Sequence, residues 1–398
     1  MSTSRLQTGI YFGAKTTPHP SYRLLLLNAS ARASSAAVAR GLERLMGMFE
    51  ELRRGRVPEL NGERESQRDA SAKQFEGLDA LIGYGRRLFD TSKHRPRLTT
   101  AERPDFLAYL ASDGPFPALR WASRRRSAEA DFALQLTASS EAAVSLAAVE
   151  AWKLIADEGL PLLVAESFSG FGRTDGRGWL SFHDGVSNMP SDQRPHALVA
   201  AADPPWMEGG TYMAYLRLLV DLAQWRSLTR NEQELIVGRG KLTGAAVVRV
   251  ERRDGRVRPA AARAPGPDAS TTELARWRDP PQTSDPVLEA SHIARANQSR
   301  ASPVAPGAFR IYRQGYDFLE SLTEEGVQVG LNFVSFQRDL RVLQQLLHLP
   351  EWLGDANFGG AAGAGGVPAL ISLAAGGLYA VPPRADPYAG ADLFVGNA

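Results

Sequence analysis

The 398-residue sequence predicts an α+β protein made of two tandem copies of one β-α-β-β-α-β unit, each an antiparallel sheet covered by helices. Two observations predict it. The order of strand-like and helix-like patterns in the first half recurs in the second, and the length exceeds what one ordinary core organises. A hydrophobic fraction of 43% then supplies enough apolar surface for two well-buried interiors.

The first unit opens on the strand YRLLLLNAS (22–30), followed by a helix whose Val38, Leu42, Leu45, Met46, Phe49 and Leu52 share one face at helical spacing. LDALIGYG (78–85) and DFALQLTAS (131–139) supply the next two strands. Ser140 is placed to cap a second helix that turns Val144, Ala148, Ala151 and Ile155 inward. LPLLVAESF (160–168) completes the order expected of a ferredoxin-like unit, and the first domain is assigned to residues 1–170.

The second domain, 171–398, starts with the apolar run TYMAYLRLLVDL (211–222), read as a buried strand. In TRNEQELIVG (229–238), Thr229 and Glu232 form a capping box at a helix start. Two strands follow, FRIYRQGYDF (309–318) and VQVGLNFVSF (327–336), then a helix at 340–349 with Leu343, Leu346 and Leu347 inward. GLYAVPP (377–383) reads as a last, edge-like strand stopped by prolines, after a Gly/Ala-rich loop and short buried segment at 359–376. The Arg-, Ala- and Pro-rich stretch 252–287 reads as an exposed excursion.

Composition excludes several function classes. The 46 Lys and Arg nearly cancel the 44 Asp and Glu, so no basic surface for nucleic acid is expected. Cysteine is absent, which removes disulfides, thiolate catalysis, Cys-ligated zinc, iron–sulfur clusters and thiolate-ligated haem. The opening MSTSRLQTGIYFG has no apolar export core and no other stretch reads as a membrane span, so a cytoplasmic protein without membrane partners is expected.

Three polar islands in the second half carry the chemistry: SFHDGVSNMP (181–190), SHIARAN (291–297) and RIYRQGY (310–316). Among six histidines, His19, His94, His196 and His348 lie in polar loops or at element ends, whereas His292 opens a compact polar run before a strand. Asp184 sits in an Asp-Gly turn where Gly185 permits positive φ and a close approach to a flat ligand. Arg313 lies within a strand between apolar neighbours, where its charge needs exposure or a partner. An imidazole, a carboxylate and a guanidinium together suit a haem site: one to hold iron, two to handle peroxide. Taken singly, each also has an ordinary structural reading.

From about residue 75 to 395, the chain resembles the dye-decolorising peroxidase family. The resemblance rests on LIGYGRRLFD, SGFGRTDGRGWLSFHDGVSNM, SHIARAN, RIYRQGYDF, GLNFVSFQRDLR and GGLYAVPPRADPYAGADLF, in that order. It implies two ferredoxin-like domains of the dimeric α+β barrel-like superfamily with haem b (iron protoporphyrin IX) in the second. It further implies a peroxidase that takes hydrogen peroxide and a small organic reductant, aromatic, phenolic or dye-like, through a ferryl intermediate, and homo-oligomers are common among such proteins. By the same resemblance His292 is the iron ligand, Asp184 the acid of a Gly-x-x-Asp-Gly motif and Arg313 the distal arginine. Arg295 and Asn297 are then placed to bind a propionate or shape the loop, and Asp339 to hydrogen-bond the ligand histidine. Trp179, Trp206, Trp225, Tyr212, Tyr312 and Tyr316 are available as an electron route. The chain departs from the motif where Ser181 replaces its first glycine and Met189 follows Asn188 in place of proline. That departure leaves a haem-handling protein with weak peroxidase activity, or a dedicated oxidative enzyme of a biosynthetic pathway, as alternatives.

Overall fold

A computed structural model describes residues 2–14, 16–57, 73–89, 103–104, 119–123, 126, 128–189, 191–201, 204–296, 311–324, 326–343, 358 and 369–394. In the first half, β1 (Ser21–Ala29), α1 (Ser35–Arg53), β2 (Asp79–Gly85), β3 (Phe132–Ala138), α2 (Glu141–Asp157) and β4 (Leu162–Phe171) follow the expected order. The caps are local and legible. Ser34 Oγ accepts the Ala37 N–H at 3.2 Å and Ser140 Oγ accepts the Ala143 N–H at 3.2 Å, each stabilising its helix by roughly 1 kcal/mol.

The second half supplies β5 (Thr211–Val220), α3 (Arg230–Val237), α4 (His292–Ala296), β8 (Tyr312–Thr323), β9 (Gly326–Gln337) and β10 (Ile371–Val381). Between α3 and α4, the hairpin β6 (Val247–Arg253) and β7 (Arg256–Ala261) stands apart as a two-stranded sheet, largely exposed, as the excursion predicted. The capping box of α3 is present, with Thr229 and Glu232 bonded reciprocally.

The eight long strands close into one barrel in the order β1-β3-β2-β10-β5-β9-β8-β4. Each half contributes its four strands in the same 4-1-3-2 sequence, the order of a ferredoxin-like sheet, so the repeat read from pattern is real in topology. Two seams join the halves. β10 meets β2 at Tyr379↔Gly85 and Ala380↔Tyr84, and β4 meets β8 at Phe171↔Asp317.

The last strand corrects the sequence reading. β10 starts at Ile371, inside the stretch expected to be mostly loop, and it is no edge, being bonded to β2 on one side and β5 on the other. Its Ala374-Ala375-Gly376-Gly377 run mimics a loop because the chain near Ala128 crosses there. A Cβ on Gly377 would lie 2.1 Å from the Ala128 carbonyl oxygen. The prolines fall beyond the final pair at Val381. β8 also runs further than expected, to Thr323, because its hairpin with β9 continues to Thr323↔Gly326. Of the helix expected at 340–349, residues 340–343 are helical and the rest lie outside the described residues.

Side chains alternate across the barrel wall. Tyr22, Leu24, Phe168, Met213, Tyr215, Tyr316, Val334 and Phe336 fill the interior. The outer face of the first half packs α1 and α2 through Val38, Leu42, Leu45, Phe49, Val144 and Ala147. On the outer face of the second half, Tyr212, Ala214, Leu216 and Phe333 join Trp225, Val237, Leu343 and Phe358 in a third cluster. This third cluster positions the site. Among the described residues no helix is long and apolar enough to cross a membrane.

Candidate active site

The acid-bearing island follows β4 as a compact loop held by its own backbone. Gly178 N–H donates to the Phe182 carbonyl (3.1 Å), Ser181 N–H to the Gly178 carbonyl (2.8 Å) and Asp184 N–H to the Gly176 carbonyl (2.9 Å). Ser181 takes φ 65°, the left-handed region that glycine favours. The motif's missing glycine is therefore replaced without loss of the glycine conformation, at a cost of roughly 1–2 kcal/mol of backbone strain. Trp179 anchors the turn by donating its indole N–H to the Phe318 carbonyl on β8 at 3.1 Å.

This loop delivers Asp184 to the outer face of β8. Asp184 Oδ1 accepts the Gly185 N–H at 2.7 Å, and Oδ2 faces Gly315 so closely that a Cβ there would lie 2.6 Å from it. Gly315 is thus a cradle for the carboxylate. Arg313 projects from the same strand face two residues earlier, by the period-two alternation of a strand. The guanidinium of Arg313 has no carboxylate partner among the described residues.

A clamp fixes the two groups relative to one another. Asn188 Nδ2 donates to the Arg313 carbonyl at 2.7 Å, and Asn188 Oδ1 accepts the Arg313 N–H at 3.2 Å. A side-chain amide here does the work of a neighbouring strand, because it offers the same donor and acceptor as a peptide. Arg239, only 4% exposed, ties the loop from the other side by donating to Ser187 Oγ, to the Gly244 carbonyl at 2.8 Å and to the Arg278 carbonyl at 2.8 Å. The excursion thereby touches the acid loop.

His183 turns elsewhere. Its Nε2 is 2.7 Å from Arg177 Nη2, and its ring lies against Gly244, in the segment where Arg177 also bonds the Lys241 carbonyl. Asp317, in contrast, sits on the same face of β8 as Arg313 and Gly315 and is 6% exposed. Burial first, and the Asp184 charge second, raise its carboxyl from an ordinary 3.8 to about 7. Asp184 itself is exposed in this structure.

The histidine-bearing helix α4 begins at His292, whose ring meets Phe358 at 5.3 Å between centroids. Gly238, the left-handed C-cap of α3 at φ 84°, is pressed against this helix: a Cβ would meet Ile293 Cγ1 and Ser291 Oγ at 2.7 Å each. Arg295 lies half-buried on α4, and its backbone N–H donates to the Ser291 carbonyl at 3.0 Å. Asp339 engages Arg341, accepting its backbone N–H at 2.8 Å and its Nε at 2.7 Å. Asn297 lies outside the described residues.

All three islands border one apolar cluster. Phe182 of the acid loop is a member, Ile311 and Leu331 pack against it beside Arg313 and Gly315, and Phe358 carries it to His292. Residues 175–386, more than half of the chain, match the family described as Dyp-type peroxidase, C-terminal. The chain belongs to the Dyp-type peroxidase family. All three islands fall inside the matched residues. A dye-decolorizing peroxidase of Thermobifida fusca is 29% identical over 257 residues, covering 60% of this chain and 52% of that protein. The chain thus spans about half the length of this curated relative. A second, from Rhodococcus erythropolis, is 35% identical over 80 residues, 20% of this chain and 23% of its own. Among solved structures, the DyP-type peroxidase of Cellulomonas bogoriensis superposes with a TM-score of 0.66 at 22% identity over 100% of both chains. A Rhodococcus jostii DypB variant, solved in complex with haem, gives 0.58 at 18% identity over 95% of this chain and 96% of that one. These Dyp-type structures bear out the α+β ferredoxin-like fold.

Asn188, Gly315, Asp317 and Gly238 were not singled out by the sequence reading. Asn188 and Asp317 stand within or beside the islands, but a polar residue in a polar run carries no mark of its own. The signal for Gly238 was present, since a glycine directly after a capped helix marks a left-handed cap.

Proposed function

We propose that this chain is a haem b-dependent peroxidase that uses hydrogen peroxide to oxidise aromatic, phenolic or dye-like compounds in one-electron steps. The observation that carries the reading is the placing of Asp184 over Gly315, beside Arg313, on one strand face bordering the cluster that reaches His292. The donor set fits the group. One imidazole is enough for iron whose equatorial positions are filled by a porphyrin, and an apolar cluster suits a macrocycle.

In this reading His292 holds the iron and Arg295, half-buried on the same helix, pairs with a propionate. Bound haem supplies the redox centre at which the peroxide O–O bond is cleaved and through which the reductant loses electrons. Asp184 takes a proton from one peroxide oxygen and returns it to the other, while Arg313 stabilises the negative charge on the departing oxygen. Two electrons and two protons from the reductant complete the conversion of one peroxide to two waters. The loop holds Asp184 by Oδ1 and leaves Oδ2 toward the strand, which suits an acid that both accepts and gives.

The glycine-like φ of Ser181 argues against a loop collapsed by its departure from the motif, and so favours an active peroxidase over a haem-handling protein. The test is the absorption spectrum of the purified protein, expressed with haem supplied, before and after one equivalent of peroxide. A Soret band that shifts on peroxide addition is expected, together with its loss in His292→Ala. Protein that takes up no haem, or a Soret band indifferent to peroxide, overturns the reading.

A further inference from the structure

We infer that Asp317 is the proton-holding partner of Asp184: a second, buried carboxyl on β8 whose proton controls the charge of the corner in which the loop acid works. The inference rests on the peroxidase reading for its consequence in turnover, and on geometry for the pairing itself. Asp184 Oδ2 stands over Gly315, and Asp317 projects from the same face two residues on, about 7 Å along the strand. Gly178, in the same loop as Asp184, lies over it: a Cβ on Gly178 would be 3.7 Å from Asp317 Oδ1. Loop and strand thus bring two carboxyls into one corner, one exposed and one 6% exposed.

The charged groups around Asp317 leave it without a strong counter-ion. Asp184 and Asp175 act on it as like charges, and Arg173 as the opposing one. Arg173, however, is committed to Asp175, with bonds of 3.0 and 2.6 Å. From the sheet, its register partners are the apolar Leu331 on β9 and Phe171 on β4. A like charge in such a corner acts with burial to hold the proton on the buried carboxyl. The buried member keeps its proton to near neutrality. Deprotonation of Asp317 then places a second negative charge in the corner where Asp184 handles the peroxide proton. Asp317 touches no substrate in this account. It is a positioning residue for charge.

Infrared titration of the carboxyl C=O band, on the protein as purified, reads the pair directly. Wild type is expected to lose a protonated-carboxyl band with a midpoint of about 7, Asp317→Asn to lack that band, and Asp184→Asn to lose it at lower pH because a like charge is gone. A band that persists in Asp317→Asn, or a midpoint unmoved in Asp184→Asn, overturns the pairing. Stopped-flow mixing of the haem-loaded protein with peroxide reads the consequence. The wild-type rate is expected to bend near neutral pH and that of Asp317→Asn to pass through the same range without bending; identical profiles overturn the tuning role. Protein that takes no haem sinks the peroxidase reading and leaves the infrared result to decide the pair.

Discussion

The Asn188 carboxamide grips the backbone of Arg313 at both ends, accepting its N–H at 3.2 Å and donating to its carbonyl at 2.7 Å. The loop that carries the acid is thereby registered on the strand that carries the arginine. Substituting Asn188 by Ala removes both bonds and leaves a part-buried peptide unmatched, a loss of roughly 1–3 kcal/mol. Urea denaturation should show that loss, and the peroxide reaction should slow while haem uptake through His292 persists. Unchanged stability would show that the clamp contributes nothing.

Ser181 occupies a glycine conformation at φ 65°. Ser181→Gly should therefore stabilise the protein by roughly 1 kcal/mol, and Ser181→Val should destabilise it, since β-branching deepens the strain. Thermal unfolding of the three proteins side by side tests the order.

Gly315 cradles the carboxylate of Asp184, with no room for a Cβ 2.6 Å from Oδ2. Gly315→Ala should push the acid off the strand, keep the Soret band and slow the peroxide reaction by roughly the 10²–10⁴-fold that one acid–base group supplies. Stopped-flow rates with saturating haem separate this from a loss of cofactor.

Gly238 plays the corresponding part under α4. A Cβ there would strike Ile293 and Ser291 at 2.7 Å, and the residue sits at φ 84°. Gly238→Ala should weaken haem uptake, measured by titration of haem into the protein, and lower stability by at least the roughly 1 kcal/mol of left-handed strain.

Asp317 also ties stability to pH. Its carboxyl rises from 3.8 to about 7 on folding, so the native state binds more protons than the unfolded state between those values. Stability attributable to this group is full below about 4, falls as pH rises, and is lost above about 7. Asp317→Asn should flatten that fall, so the variant gains on wild type between pH 5 and pH 8 in urea denaturation.

The repeat of strands and helices was legible because both cues are local: alternation for β1 and β3, one-faced spacing and a serine cap for α1 and α2. Barrel closure was not, because the pairing of Tyr379 with Gly85 joins residues far apart and leaves no local pattern. The small residues of β10 even pointed the other way, being selected by a crossing chain rather than by the strand. In the candidate site, His292, Asp184 and Arg313 were singled out by motif. Asp317 was not singled out because burial, which makes it unusual, is a property of the turn packed over it. Asp339 was expected to serve the proximal histidine, and the bonds it makes to Arg341 could not be read from sequence either.

The seam between β4 and β8 carries one ladder pair, Phe171↔Asp317, among the described residues, and the acid loop closes the remainder with a side chain. A ladder takes up an insertion only as a shift in register or a bulge, as at Leu319/Ser321 in this wall. A side-chain clamp is not so confined. Changes in the loop can therefore move the acid by fractions of a residue while the rest of the ring stays in step, which makes this seam a place where descendants of the chain can retune their chemistry without refolding the wall behind it.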